Sequence, residues 1–223
     1  MAVIHKTFVK PTKLELLTSW LPSRPWYRGA AAAPDLAKAG GFRLDDPDGA
    51  VGMEFMVVTD VSASGPTTYL VPLTYRGGPL DGAEHALVGT MEHGVLGRRW
   101  VYDGCHDPVL GAQLLALVQG AAQAQDQNLT DTPDPTVIGS YTGEGPLAID
   151  PAQAPADDRD GTELPLPQGA TLRLHRILRP APDGTPVAPQ GAIGHVAAPY
   201  HLPDGTRVQG LFAVLHTGLR AQG

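Results

Sequence analysis

Two runs of alternating apolar residues lie close together in this chain and constrain its fold more than any other feature. Met53, Phe55 and Val57 recur at every second position within 50–61; Tyr69, Val71, Leu73 and Tyr75 do so within 67–76. A period of two belongs to a strand, whose side chains point alternately to its two faces. Ser62 to Pro66 supply turn residues between the runs, so the pair reads as a β-hairpin. Two further strands fit 85–92 and 97–103, joined through Gly94 and Gly97. A sheet built from such hairpins is antiparallel.

Helical signals are fewer. Leu14, Leu17 and Leu21 predict a short helix over 12–21, stopped by Pro22. The Ala-rich stretch 30–39 reads as helical or loose. Asp107-Pro108 opens the clearest helix: Asp caps the free amides and Pro takes the first helical position. Leu110, Leu114, Leu117, Val118 and Ala121 form its apolar stripe, which should pack on the sheet. Residues 1–122 therefore predict an α+β domain, an antiparallel sheet with helices on one side. From Gln123 to Pro167, Asp, Pro, Gly and Gln dominate, with short apolar pieces at Val137-Ile138 and Leu147 to Ile149. This stretch, with acidic Asp157-Asp158-Arg159-Asp160, predicts a linker or loose edge. Strand patterns return at 170–178, 192–198 and 206–216, with Pro203-Asp204-Gly205 as a turn, so 168–223 predicts a second small antiparallel β-rich part.

Composition narrows the function. With 223 residues, 42% of them apolar, the chain can bury a real core, while 22 Pro and 27 Gly call for many turns. A net charge of −7 argues against nucleic acid as a partner, because phosphate contact needs concentrated Lys and Arg. The single cysteine excludes an intrachain disulfide and fits a reducing compartment. Met1 to Lys6 lack the pattern of a signal peptide, and no apolar run reaches the roughly 18 residues of a membrane span. The expected location is the cytoplasm, with no membrane partner.

Catalytic motifs are scarce. The four lysines (Lys6, Lys10, Lys13 and Lys38) all precede the first strand run, and no Gly-x-x-x-x-Gly-Lys occurs. The one asparagine, Asn128, lacks an Asp five residues earlier, so the base–magnesium pair of a kinase catalytic loop is missing. Cys105-His106 lies between a predicted strand and helix, where a thiolate is activated by the helix N-terminus; the plainer reading is a turn that happens to contain a cysteine. His85, His93 and His106 lie within a short stretch with Asp103 nearby but lack the spacing of a metal motif, and the histidines read as surface groups on adjacent strands. His195, His201 and His216 read the same way, so neither a metal nor a cofactor is expected. Trp20, Trp26 and Tyr27 beside Arg24 and Arg28 make either a sugar-stacking surface or an anchor that seats the N-terminal segment in the core.

The segment from Trp20-Leu21-Pro22 through Arg24-Pro25-Trp26-Tyr27-Arg28-Gly29 resembles the opening W-L-P-R-Q-R-W-F-x-G-K motif of bacterial maltokinases. Further matches follow in order. Tyr69-Leu70-Val71-Pro72-Leu73 resembles the family's Y-x-L-P-L strand, and Val101-Tyr102-Asp103-Gly104 with Asp107-Pro108 resembles its V-Y-D-A-x-x-D-P turn. Leu172 to Leu178 resembles the L-K-x-x-R-R-L strand that carries the ATP lysine. The resemblance implies an N-terminal cap followed by part of a kinase N-lobe, and a place in α-glucan, maltose or trehalose metabolism. It is strongest over 14–120. The departures matter as much. Ala30 stands where the family has the lysine of its opening motif, and Arg173 stands at the ATP lysine. The catalytic C-lobe finds no counterpart, so no catalytic residue carries over.

The expectation is therefore a free-standing, non-catalytic cap-like protein that binds a partner, either a second copy of itself or another enzyme of the pathway. Two alternatives stand beside it. One is a sugar or sugar-phosphate binder using Trp20, Arg24, Trp26, Tyr27 and Arg28; the other is an enzyme of another class using Cys105 and His106.

Overall fold

The computed structural model describes residues 7–29, 33–62, 65–150, 152–181, 184 and 186–218. Its dominant feature is one antiparallel sheet. The first hairpin forms as its alternation predicts, as β3 (Gly52–Asp60) and β4 (Thr67–Arg76), with Phe55 opposite Pro72 and Val57 opposite Leu70. The two apolar sets face opposite ways. Met53, Phe55 and Val57 enter one core with Leu70, whereas Tyr69, Val71 and Leu73 enter a second core with Met56 and Val58. Both strands are thus buried on both faces.

Each core receives one of the two short α-helices. Helix α1 (Lys13–Trp20) starts at a capping box in which the Thr12 hydroxyl accepts from the Glu15 amide and the Glu15 carboxylate accepts from the Thr12 amide. It packs Leu17 and Trp20 into the second core. Helix α2 (Pro108–Val118) is capped by Asp107, whose carboxylate accepts from the Val109 amide at 3.0 Å. Leu110, Leu114, Leu115, Leu117 and Val118 enter the first core. The helices therefore lie on opposite faces, not on one side as the sequence predicts. Ala121 lies beyond the end of α2 and is exposed.

The remaining strands are β1 (Val9–Lys10), β2 (Leu36–Leu44), β5 (Leu87–His93), β6 (Gly97–Asp103), β7 (Ile138–Tyr141), β8 (Ala156–Asp157), β9 (Gly161–Pro165), β10 (Thr171–His175), β11 (Ala192–His201) and β12 (Arg207–His216). Their order is β1-β5-β6-β4-β3-β2-β11-β12-β10-β9-β8, with β7 added on β11. Strands after residue 167 thus join the sheet of β2–β6, and no separate second sheet forms among the described residues. The stretch 123–167 is also packed: it contributes β7, β8 and β9 and buries Ala124, Val137, Leu164 and Leu166 in the first core.

The sheet also closes on itself. Beyond β10 the backbone runs on to β4, where the Leu70 amide donates to the Arg176 carbonyl and the Leu178 amide to the Thr68 carbonyl, both at 2.9 Å. This completes the ring β4-β3-β2-β11-β12-β10 around the first core. Pro72 explains the other half of that edge. Its missing N–H points to the same side as the Leu70 amide, and it falls at the seam between 176–178 and β6, whose pairing begins at Leu73.

Strand β2 replaces the helical or loose reading over 36–39, while 33–35 carry no regular structure; residues 30–32 lie outside the described residues. A register shift between Lys38 and Gly40 breaks its alternation, so Ala39, Phe42 and Leu44 all reach the first core. Gly40 (φ +144°) and Gly41 (φ +129°) adopt backbone that L side chains avoid. A Cβ on Gly41 would lie 2.1 Å from the Phe55 carbonyl oxygen, and one on Gly40 would lie 3.3 Å from the Tyr200 Cα. That closeness lets β2 pair with β3 on one side and meet β11 on the other.

Candidate functional site

The most concentrated chemistry lies where β6 turns into α2. Asp103 ends β6, and its Oδ1 accepts from the Cys105 amide at 3.2 Å, which fixes the short 3₁₀ turn Gly104–His106. Behind this turn Arg176 arrives from the end of β10 and is fully buried. Its Nη2 donates to both Asp103 oxygens, at 2.8 and 2.6 Å, and its Nε donates to the Thr162 hydroxyl at 2.7 Å. Thr162 on β9 donates in turn to Asp157 on β8. The guanidinium carbon lies 4.8 Å from the ring centroid of Trp26, a cation–π contact inside the protein. Burial works against the charge on Arg176, but Asp103 beside it outweighs that and raises its pKa. The network joins β6 and the Trp26 segment to β8, β9 and the chain after β10.

On the rim of this network His106 meets His85, with Nδ1 of the first 3.1 Å from Nε2 of the second and the rings edge to face. Burial holds the His106 pKa below its ordinary value. Ligand atoms of Asp103, His106 and Asp157 lie within 4.8 Å of one another. The structure thus gathers Asp103, His106 and His85 from the histidine-rich stretch, while His93 sits at the far end of β5, opposite Val9 and Gly97. Asp157 is the partner that spacing did not reveal. His195, on β11, and His216, at the end of β12, form no such cluster with exposed His201.

Cys105 is buried, and that burial pushes its thiol well above the ordinary value. A protonated thiol is a poor nucleophile, and the Nδ1 contact of His106 goes to His85.

The Trp-rich motif divides into a buried and an open part. Trp26 is 0% exposed, between Trp20, Tyr69 and Arg176, and Trp20 is 7% exposed. Half-buried Arg24 lies 4.7 Å over the outer ring of Trp20. The Tyr27 hydroxyl donates to Asp60 at 2.8 Å, and exposed Arg28 pairs with Asp160. The indoles therefore anchor the segment in the core, and Arg24, Tyr27 and Arg28 are the members of the motif nearest solvent.

A second buried charge lies under α1. Glu54 accepts from Lys13, from the Tyr75 hydroxyl at 2.7 Å and from the Gln127 amide at 2.8 Å. Burial alone would raise its pKa, yet Lys13 and the Tyr75 hydrogen bond hold it below the usual value. Arg173 on β10 points outward and donates to Asp158 at 2.7 Å and to Glu163 at 2.9 Å.

Fold and site together define a β-rich module in which Lys13, Arg28, Arg76, Arg98, Arg173 and Arg176 each pair with one of its own carboxylates. Residues 20–107 match the family model of the maltokinase N-terminal cap domain, so the chain carries a maltokinase N-cap-like domain over that stretch. No curated protein matches the sequence. No described helix is long and apolar enough to cross a membrane.

Proposed function

We propose that this chain is a non-catalytic binding or regulatory module of the maltokinase-cap type, acting in α-glucan, maltose or trehalose metabolism. The observation that carries the reading is the state of Arg173. This residue stands where the resemblance puts the ATP lysine, yet its guanidinium is flanked by Asp158 and Glu163. Two carboxylates at that cation repel a polyphosphate, which needs unpaired positive charge. The neutral, buried Cys105 supports the same conclusion for nucleophilic chemistry.

The partner under this reading is a second copy of the chain or another enzyme of the pathway. Phe8, Val95 and Leu96 support it: all three are exposed, and the Gly94 amide bonds the Phe8 carbonyl at 3.1 Å, which holds β1 against the β5–β6 turn. Light scattering after size exclusion, with a pull-down against α-glucan and trehalose enzymes, tests it. A clean monomer that captures none of them contradicts it.

A second reading rests on Arg24, Tyr27 and Arg28 at the surface of the Trp motif, as contacts for a sugar or sugar phosphate. A thermal-shift series with maltose, trehalose and glucose phosphates decides it; no shift with any of them removes it.

A further inference from the structure

We propose that Asp103, His106 and Asp157 form a binding site for a divalent first-row metal ion, with His85 orienting His106. This departs from the reading of these histidines as surface groups. It rests on donor chemistry and charge. Two carboxylates and an imidazole converge with their ligand atoms within 4.8 Å of one another. In a tetrahedral site with bonds of about 2.1 Å the ligands stand ~3.4 Å apart, so modest side-chain rotation closes the shell. Asp103 is buried, while His106 and Asp157 are half-buried, which leaves an ion a path from solvent.

Each ligand retains a lone pair. Asp103 Oδ1 accepts from the Cys105 amide and from Arg176, but its Oδ2 accepts from Arg176 alone among the described residues. The hydrogen bond from Thr162 falls on Asp157 Oδ1, leaving Oδ2. The contact with His85 uses His106 Nδ1; in the tautomer that carries its proton there and donates it to His85, Nε2 keeps its lone pair for a metal. Such a hydrogen bond at the other ring nitrogen is what fixes the tautomer and ring direction of metal-binding histidines.

Charge points the same way. Two carboxylates face a single guanidinium, so the cluster is one positive charge short within a largely buried space. Arg176 also has a buried Nη1 with no partner among the described residues, a donor that suits a water or anion carried by the ion. A set of two carboxylates and one imidazole suits Zn²⁺ or Mn²⁺ better than Mg²⁺, which prefers an all-oxygen shell.

The test is calorimetric titration of chelator-treated full-length protein with Zn²⁺, Mn²⁺ and Mg²⁺, with circular dichroism to confirm folding. The expected result is one Zn²⁺ or Mn²⁺ per chain, bound more tightly than Mg²⁺. His106→Ala and Asp157→Asn should each weaken binding at least ~10-fold, and His85→Phe should weaken it less. A hydrogen–deuterium exchange map should show protection on metal addition around 103–107 and 156–162. No saturable binding to the folded protein overturns the proposal. So does binding that both ligand variants leave unchanged.

Discussion

Replacing Arg176 by Met tests how the two ends of the ring are joined. The substitution keeps a long apolar stem and removes the guanidinium. Asp103 then loses bonds of 2.6 and 2.8 Å, Thr162 loses one of 2.7 Å, and Trp26 loses the cation 4.8 Å from its ring. Removing one partner of a buried ion pair costs about 3–5 kcal/mol, because the other charge stays buried without compensation. The contact with Trp26 is worth about 2 kcal/mol when desolvated, but the Met side chain recovers part of it by packing on the indole. The net loss should be about 4–5 kcal/mol, a large share of the roughly 5–15 kcal/mol that holds a domain together. At about 2–4 °C per kcal/mol for a chain of this size, the midpoint should fall by ~8–20 °C. Urea unfolding in chelator, followed by tryptophan fluorescence, measures this directly. Asp103→Leu added to Arg176→Met should restore at least ~2 kcal/mol relative to additivity, since it removes the stranded carboxylate. A single-variant loss below about 1 kcal/mol, or strictly additive losses, would mean that the Asp103–Arg176 pair does not join the two ends of the ring.

Three further outcomes follow from other parts of the structure. Gly41→Ala places a Cβ 2.1 Å from the Phe55 carbonyl at a φ of +129°, so it should cost upwards of ~3 kcal/mol in urea unfolding. Full stability would mean that β2 does not approach β3 so closely. Burial pushes the Tyr200 hydroxyl up to about 12 from an ordinary 10.0. The folded state therefore holds its proton longer than the unfolded chain, and stability should fall as pH rises from 10.0 to about 12. Tyr200→Phe should remove that component and stabilise by about 1 kcal/mol at neutral pH, since the hydroxyl is buried with no partner among the described residues. A destabilised variant, or an unchanged alkaline limb, contradicts this. Glu54 is held below its ordinary 4.5, so its contribution is present above that value and is lost as pH falls through the lower folded value. Lys13→Met should cost about 1–2 kcal/mol near neutral pH, since Lys13 is itself partly exposed and screened while Glu54 is buried, and should flatten that acid limb of the Tm profile; an acid limb as steep as the parent's would count against it.

Local patterns made much of the sheet legible. The β3–β4 and β5–β6 hairpins and both helix starts follow from alternation, turn residues and caps that act over a few residues. Strand β2 was hidden because its register shift breaks the period of two, while Ala37-Lys38-Ala39 has the composition of a helix. Closure of the ring was hidden because it depends on Gly40, Gly41 and the seam at Pro72, all of which resemble ordinary strand interruptions. The Trp motif was recognisable, but its division into a buried indole pair and an outer arginine needed the second core. The Asp103–Arg176 pair spans 73 positions, beyond any motif spacing. One signal for it was available: an arginine set directly before Ile177-Leu178, in a run that is otherwise apolar at every second position, invites a search for a buried carboxylate.

Phosphate transfer is the activity that the proposed binding role leaves out. Incubating the purified protein with ATP, Mg²⁺ and maltose, and following maltose phosphate by ³¹P NMR, tests it most directly. No product above a heat-inactivated control is expected. Turnover that is abolished by Arg173→Ala would contradict it.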